Sequence, residues 1–143
     1  METEEEHFNR SLPVQIRFND IDAIGHINNN IYYSFYDLGK IHYLDCLKAE
    51  SVSWTEGQIV LARIESDFLL PIFYKENIAV DTKIIRLGNK SGTFLQQLRN
   101  VDTDEVKSIC KSVFVTFDAS AGKSIEIPSE WKAAISQFEQ ASF

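Results

Sequence analysis

Apolar and polar residues alternate in five runs of this chain. Such alternation predicts β-strands, because successive side chains of a strand point to opposite faces of its sheet. The runs are rich in the β-branched and aromatic residues that strands favour. The predicted strands cover residues 13–19, 59–68, 78–87, 93–101 and 106–117. Residues 88–92 and 102–105 are rich in Gly, Asn and Asp, and we predict that they form hairpin turns between the last three strands.

A different spacing lies between the first two strands. From Ile31 to Leu47, apolar residues recur every three or four positions, which is typical of the buried face of a helix. The asparagines at 28–30 precede this helix, and asparagine is a good N-cap. Gly39 lies inside it, where glycine costs about 1 kcal/mol relative to alanine, so we expect another backbone to approach closely there. A short final helix is predicted to begin at Pro128.

One long helix followed by grouped strands predicts an α+β domain, in which an antiparallel sheet carries its helices on one side. Residues 48–58 are predicted to form a polar connection, and residues 1–11 to be frayed.

Composition narrows the class of protein. The 14 basic and 21 acidic residues give a net charge of −7, which argues against a nucleic-acid-binding protein. Cys46 and Cys110 lack the spacing of a metal site and are predicted to be reduced, mostly buried thiols. The N-terminal residues do not resemble a signal peptide, and no apolar run approaches the length of a membrane span. We therefore expect a cytoplasmic protein.

Residues 20–33 carry the candidate chemistry. This stretch joins a predicted strand to the long helix, yet it holds two carboxylates, a glycine, a histidine and three asparagines. A simple connection needs only a few turn residues, so the excess of polar chemistry predicts a site. Asp22 is the main candidate, although an aspartate here could also cap a turn.

The segment Arg17–Tyr33 resembles the N-terminal signature of the 4-hydroxybenzoyl-CoA thioesterase family of hot-dog fold proteins. Similar matches follow at Ala62–Pro71, Arg86–Ser91 and Ile127–Pro128. The resemblance implies a single domain over residues 1–143, with a five- or six-stranded antiparallel sheet wrapped around the long helix. It also implies a homodimer or homotetramer with active sites at the subunit interface.

The resemblance assigns roles within the polar loop. Asp22 matches the catalytic aspartate, which can attack a thioester or activate water as a general base. The backbone amide of Asn29 is implied as an oxyanion donor, with a second donor near Gly25 and His26. His26 could orient substrate or water, or be a hydrogen-bonded structural residue. Asn28 is a lesser candidate beside its expected role as a cap.

Other polar residues have competing interpretations, one structural and one functional. Asp20 is expected to be a structural turn residue, and Glu65 a surface carboxylate. Tyr32 could contact substrate but is more typical of a core or interface residue. The segment 25–29, Gly-His-Ile-Asn-Asn, resembles the long-chain acyl thioesterase branch, which disfavours an aromatic substrate.

A basic cluster lies near the first hairpin turn. Lys83, Arg86, Lys90 and Ser91 could bind the phosphates of CoA, although charged hairpins are usually only solvated.

These expectations together predict an acyl-CoA thioesterase, which converts an acyl-CoA and water into a carboxylic acid and free CoA. Two alternatives stay open: hydrolysis of acyl groups carried by acyl carrier protein, and a non-catalytic acyl-CoA binding module on the same fold. No metal or redox cofactor is expected.

Overall fold

The computed structural model describes residues 6–47 and 58–143. Its helices are α1 (Asn29–Cys46) and α2 (Ser129–Glu139). Its strands are β1 (Arg10–Val14), β2 (Gln58–Phe68), β3 (Ile78–Leu87), β4 (Ser91–Asn100), β5 (Val106–Asp118) and β6 (Lys123–Ser124). A single turn of 3₁₀ helix, Phe18–Asp20, follows β1. None of the helices described here is long and apolar enough to cross a membrane.

The strands form one antiparallel sheet in the order β1-β3-β4-β5-β2, with β6 paired to the end of β5. Helix α1 lies against one face of this sheet, and α2 packs on the same face through Trp131 and Ile135. The prediction of an α+β domain with a sheet wrapped around the long helix is therefore confirmed, with six strands among the described residues.

Two buried clusters occupy the space between α1 and the sheet. The first lies at the N-terminal end of α1, where Tyr32 and Tyr36 pack against Val80 and Leu98. The second lies at its C-terminal end, where Tyr43 packs against Phe94 and Phe114 and against α2. The two ends of the helix therefore meet different ends of the sheet.

The hairpin region of the sheet follows the prediction closely, because β3 begins and ends at the predicted residues and both turns lie between antiparallel strands. The N-terminal region differs. The first strand is Arg10–Val14, not residues 13–19, because the Asp20 carboxylate accepts from the Arg17 amide (2.8 Å) and folds the chain into the 3₁₀ turn. The predicted fraying is wrong for residues 10 and 11, which pair with β3. Residues 1–5, and residues 48–57 of the predicted connection, lie outside the described part of the chain.

The expectation for Gly39 needs a correction. Side chains, not a backbone, approach it: a Cβ atom at this position would lie 2.8 Å from atoms of Val80, Thr82 and Gln96. The Gln96 amide group also donates to the carbonyl of Tyr36 (2.9 Å) on the same helix. Gly39 therefore lets α1 lie directly on the polar and apolar side chains of the sheet.

Candidate active site

The polar loop that precedes α1 is closed on itself. Ile21 and Ile27 form an isolated antiparallel bridge at its base, and the Asp22 amide donates to the carbonyl of His26 (2.9 Å). The turn within the loop requires Gly25, which has a φ of +87°. No atom would lie within 4 Å of a Cβ there, so glycine is needed for its backbone conformation rather than for space.

The Asp22 carboxylate is held by one of its oxygens. Oδ1 accepts from the Ile24 amide (3.0 Å), so the turn-capping role is present. In the parts of the chain that the structure describes, no donor bonds the other oxygen, Oδ2. The side chain is half-buried and lines a cleft. One oxygen is thus fixed, while the other can take a proton or contact a ligand.

The first turn of α1 borders the same cleft. The Asn28 side chain caps the helix by accepting from the Asn30 amide (3.1 Å), and its carbonyl accepts from the Ile31 amide (2.8 Å). The Asn29 amide, at the first helical position, has no partner among residues 6–47 and 58–143. An unpaired N–H at a helix N-terminus attracts negative charge, because the helix dipole adds to it.

A second backbone donor was expected near Gly25 and His26. The Gly25 amide is engaged by the carbonyl of Asp22 (3.1 Å). The His26 amide has no partner within the described chain, so it is the one of the two that can serve as a donor.

The cleft measures about 380 Å³ and has an apolar wall opposite the loop. This wall is Phe68–Pro71, at the end of β2. Tyr32 forms the base: it is 2% exposed, and its ring lies 5.0 Å from that of Phe68. Burial raises the pKa of the Tyr32 hydroxyl, so this group stays neutral. Tyr32 is thus a core residue that also lines the cleft.

His26 lies on the cleft beside Phe73, and the two rings meet edge to face at 5.0 Å. Its backbone carbonyl closes the loop through the Asp22 amide. The ring is half-buried and therefore reachable from the cleft.

Two carboxylates outside the cleft lie as expected. Asp20 is 1% exposed and binds Arg17 through both the backbone amide and the guanidinium (3.0 Å), so it is a structural turn residue. Glu65 is exposed on β2.

The basic cluster does not join this cleft within one chain. Ile78 lies beside Ile27 in the first core cluster, whereas Ile84 belongs to the second. Strand β3 therefore carries Arg86 about 26 Å along the sheet from Ile78, at about 3.3 Å per residue. Lys83 also forms an ion pair with Glu6 (3.0 Å). Lys90 and Ser91 lie at the same far end, in the turn before β4 and at its first residue.

The sequence did not predict that the cleft wall opposite Asp22, Phe68–Pro71, belongs to the site. The available signal is the run of residues 68–74, which is apolar throughout and continues beyond the predicted strand that ends at residue 68. Most of its apolar side chains are exposed, with Leu69 47% and Phe73 48% accessible, whereas Ile72 is 0% exposed and belongs to the first core cluster. Across residues 6–47 and 58–143, no three His, Cys, Asp or Glu side chains are grouped to hold a metal ion.

Comparison with known proteins identifies the family. The model of the thioesterase-like superfamily matches residues 16–135, so the chain belongs to that family and is a thioester hydrolase. The resemblance to hot-dog thioesterases is thereby confirmed, while membership of the 4-hydroxybenzoyl-CoA branch stays a prediction. None of the curated proteins matches this sequence.

Solved structures show the same fold. A thioesterase from Thermus thermophilus, complexed with coenzyme A and Zn, is 26% identical, with a TM-score of 0.83 over 95% of this chain and 98% of its own. A predicted thioesterase from Bacillus stearothermophilus is 24% identical, with a TM-score of 0.79 over 90% of this chain and 94% of its own. A 1,4-dihydroxy-2-naphthoyl-CoA thioesterase from Synechocystis shares the fold at 14% identity, with a TM-score of 0.79 over 90% and 96% of the two chains.

Proposed function

We propose that this member of the thioesterase-like superfamily hydrolyses acyl-CoA thioesters to a carboxylic acid and free CoA, with Asp22 as its catalytic carboxylate. One observation carries the proposal: a carboxylate with a free oxygen and an unpaired helix N-terminal amide line the same cleft. The CoA complex of the Thermus protein supports the choice of carrier. Thiol release from acyl-CoA esters by the parent chain and by Asp22→Asn tests it.

The chemistry follows from these groups. The thioester carbonyl oxygen accepts from the Asn29 amide, which stabilises the negative charge that develops on this oxygen. As a general base, Asp22 takes a proton from a water molecule while the water oxygen bonds to the carbonyl carbon. The tetrahedral intermediate then expels the CoA thiolate, which takes up the proton. As a nucleophile, the Asp22 carboxylate would instead bond to the carbonyl carbon and expel the CoA thiolate, which leaves a mixed anhydride. Water then cleaves this anhydride to the free acid and the Asp22 carboxylate, and the thiolate takes up the proton that the water releases.

The rest of the cleft suits an acyl substrate. Phe68, Leu69 and Leu70 offer an apolar surface to the acyl chain, and His26 can orient the thioester or the water. Gly25 and Asn28 shape the loop on the other side. We place the enzyme in the cytoplasm, where free thiols such as those of Cys46 and Cys110 are usual.

The proposal includes a homodimer formed along β2. The strands predicted at 106–117 and 59–68 are both candidates to pair or pack across a two-fold axis. Strand β5 is paired on both sides, by β4 and β2, so its edges cannot pair with another copy. Strand β2 is an edge of the sheet and exposes apolar side chains, among them Val60 (41%) and Ile64 (43%). An exposed apolar edge strand favours pairing with a second chain.

Antiparallel pairing of two β2 strands would also complete the site. It sets the Gln58 end of one strand beside the Phe68 end of the other. The Gln58 end lies near the turn at 88–92, because β5 pairs Phe117 with Gln58 and Val115 with Ser91. The partner's basic cluster would then come toward the cleft.

The proposed dimer predicts that a charged residue introduced on edge strand β2 weakens association of the two chains. Sedimentation of the parent chain at micromolar concentration should give at least twice the 16.4 kDa of the monomer. Ile64→Lys should shift the protein toward monomer, because lysines on an edge strand oppose pairing. Val101→Lys, on a surface 47% exposed beyond β4, is the matched control and should leave the mass unchanged. A monomeric parent chain would contradict the dimer.

The basic cluster predicts a binding effect. Arg86 and Lys90 are exposed, so their joint replacement by alanine should leave the fold intact. If they bind CoA phosphates, KM should rise while kcat stays within about twofold, since uniform binding is lost. The rise should weaken at high salt. Lys111→Ala, in the middle of β5, is the control, and an unchanged KM in the double variant would place the nucleotide elsewhere.

A further inference from the structure

A buried ion pair lies behind the cleft wall and plays no part in the chemistry above. Lys107 of β5 is 6% exposed, and its Nζ lies 2.8 Å from Oε1 of Glu76, whose side chain is 18% exposed. Glu105 lies further off at 3.7 Å and is half exposed. Asn100 donates to the same Glu76 oxygen (3.0 Å). The pair is thus specific and shielded from solvent.

Lys107 and Glu76 hold residues 69–76, which we call the wall segment, at both ends. The Lys107 carbonyl accepts from the amides of Leu69 (2.9 Å) and Leu70 (3.1 Å), and its Nζ lies 3.4 Å from the Pro71 carbonyl. At the other end, Oε2 of Glu76 accepts from the Phe73 amide (2.7 Å). The main chain and side chain of Lys107, together with Glu76, therefore fix the course of the whole segment.

The wall segment is in turn joined to the loop that carries Asp22. The Ile72 carbonyl accepts from the Ile27 amide (2.8 Å), and Phe73 packs against the His26 ring. Ile27 directly precedes the N-cap of α1. A shift of the wall segment would therefore move the Asn29 amide relative to the Asp22 carboxylate.

The contacts of Glu76 favour its charged form. Burial alone would raise the pKa of Glu76, but hydrogen bonds from Lys107, the Phe73 amide and Asn100 outweigh it and lower that pKa. A buried ion pair is often no more stabilising than apolar residues of the same volume, whereas removal of one partner is costly. Its presence here is therefore better explained by the geometry that it enforces than by net stability.

We propose that the Lys107–Glu76 ion pair is a positioning device that sets the distance between the cleft wall and the Asp22 loop. Both residues act through Ile72 and Phe73, and neither touches the substrate. The inference rests on the proposed function for its effect on rate. Its effect on the backbone is independent of any activity.

Glu76→Gln removes the negative charge of the side chain but keeps its size, and its amide oxygen can still accept from the Phe73 amide. Its kcat on an acyl-CoA ester should fall between about 10- and 100-fold, as expected when reacting groups are misplaced. KM should change much less than kcat, because neither Glu76 nor Lys107 touches the substrate and every side chain of the cleft wall is kept. Amide hydrogen exchange should accelerate at least about tenfold at Ile27, whose acceptor is the Ile72 carbonyl of the wall segment. Glu105→Gln, which removes a carboxylate near the same lysine, should change neither.

Substitutions of Lys107 provide a rescue test. Lys107→Met should behave as Glu76→Gln does, whereas Lys107→Arg keeps the charge and its donors and should stay within about threefold of the parent kcat. An unchanged exchange rate at Ile27 in Glu76→Gln, or an unchanged kcat in an active chain, would overturn the proposal. If the parent chain hydrolyses no acyl-CoA ester, the proposed function fails. Exchange at Ile27 in Glu76→Gln and Glu105→Gln then decides the positioning role by itself.

Discussion

Asp22→Asn should fold and assemble like the parent chain but hydrolyse its best acyl-CoA ester about 10²–10⁴ times more slowly. That loss corresponds to about 3–5 kcal/mol of transition-state stabilisation. The asparagine keeps the oxygen that accepts from the Ile24 amide, so the turn survives. It loses the basicity and negative charge that either mechanism requires. The ratio of kcat values for the two proteins measures the effect.

The control variants must show that the loss of kcat in Asp22→Asn reflects catalysis and not a change in local structure. Asp20→Asn is unsuitable because Asp20 is 1% exposed and holds the Arg17 amide in place. Asp104→Asn is better matched: its side chain is 85% exposed, and its φ of 61° suits asparagine. It should hydrolyse at the parent rate, as should Glu65→Gln. A kcat of Asp22→Asn within about threefold of the parent would place the site elsewhere.

Gly39→Ala should destabilise the fold even though it improves helix propensity. Alanine gains about 1 kcal/mol over glycine within a helix. Its Cβ, however, would lie 2.8 Å from Val80, Thr82 and Gln96 at once, and such overpacking costs about 1–3 kcal/mol. Displacing Gln96, which is 0% exposed, would also break its bond to the Tyr36 carbonyl, at a further cost of about 1–3 kcal/mol. We therefore expect a net loss of about 1–5 kcal/mol.

Urea denaturation of the two proteins measures this loss as a lower midpoint at an unchanged slope. Ser34→Ala is the control, because Ser34 is exposed on the same helix and should give a neutral or slightly stabilising effect. A Gly39→Ala chain as stable as the parent would show that the sheet side chains move aside, contrary to the close packing described above.

Local patterns predicted most of the fold. The alternation in β3 fixed both of its ends, and the asparagine run placed the start of α1 within two residues. Failures occurred where a single tertiary contact decides the conformation. The alternation through Phe18 continues past the end of β1, but the Asp20 carboxylate bonds the Arg17 amide and ends the extended run. β6 spans only two residues, too few for any period to be recognised.

The residues of the candidate site were likewise predicted where they are close in sequence and missed where tertiary contacts bring them together. Asp22 and Asn29 are close in sequence, so an excess of polar residues in one loop was enough to find them. The wall at Phe68–Pro71 lies beside the loop only because the fold brings the end of β2 next to it. The Lys107–Glu76 pair likewise joins two segments that are far apart in the chain. No local pattern encodes such contacts. For the same reason, the sequence could not show that Lys83 and Arg86 lie at the far end of α1 from Asp22.

Thiol release from a panel of acyl-CoA esters, with the parent chain and Asp22→Asn assayed side by side, tests the central claim most directly. The account predicts steady thiol release by the parent on at least one ester, and a loss of at least about 100-fold in Asp22→Asn while CoA binding is retained. The claim would be contradicted if both proteins bound CoA but released no thiol from any ester, or if both hydrolysed the best ester equally fast.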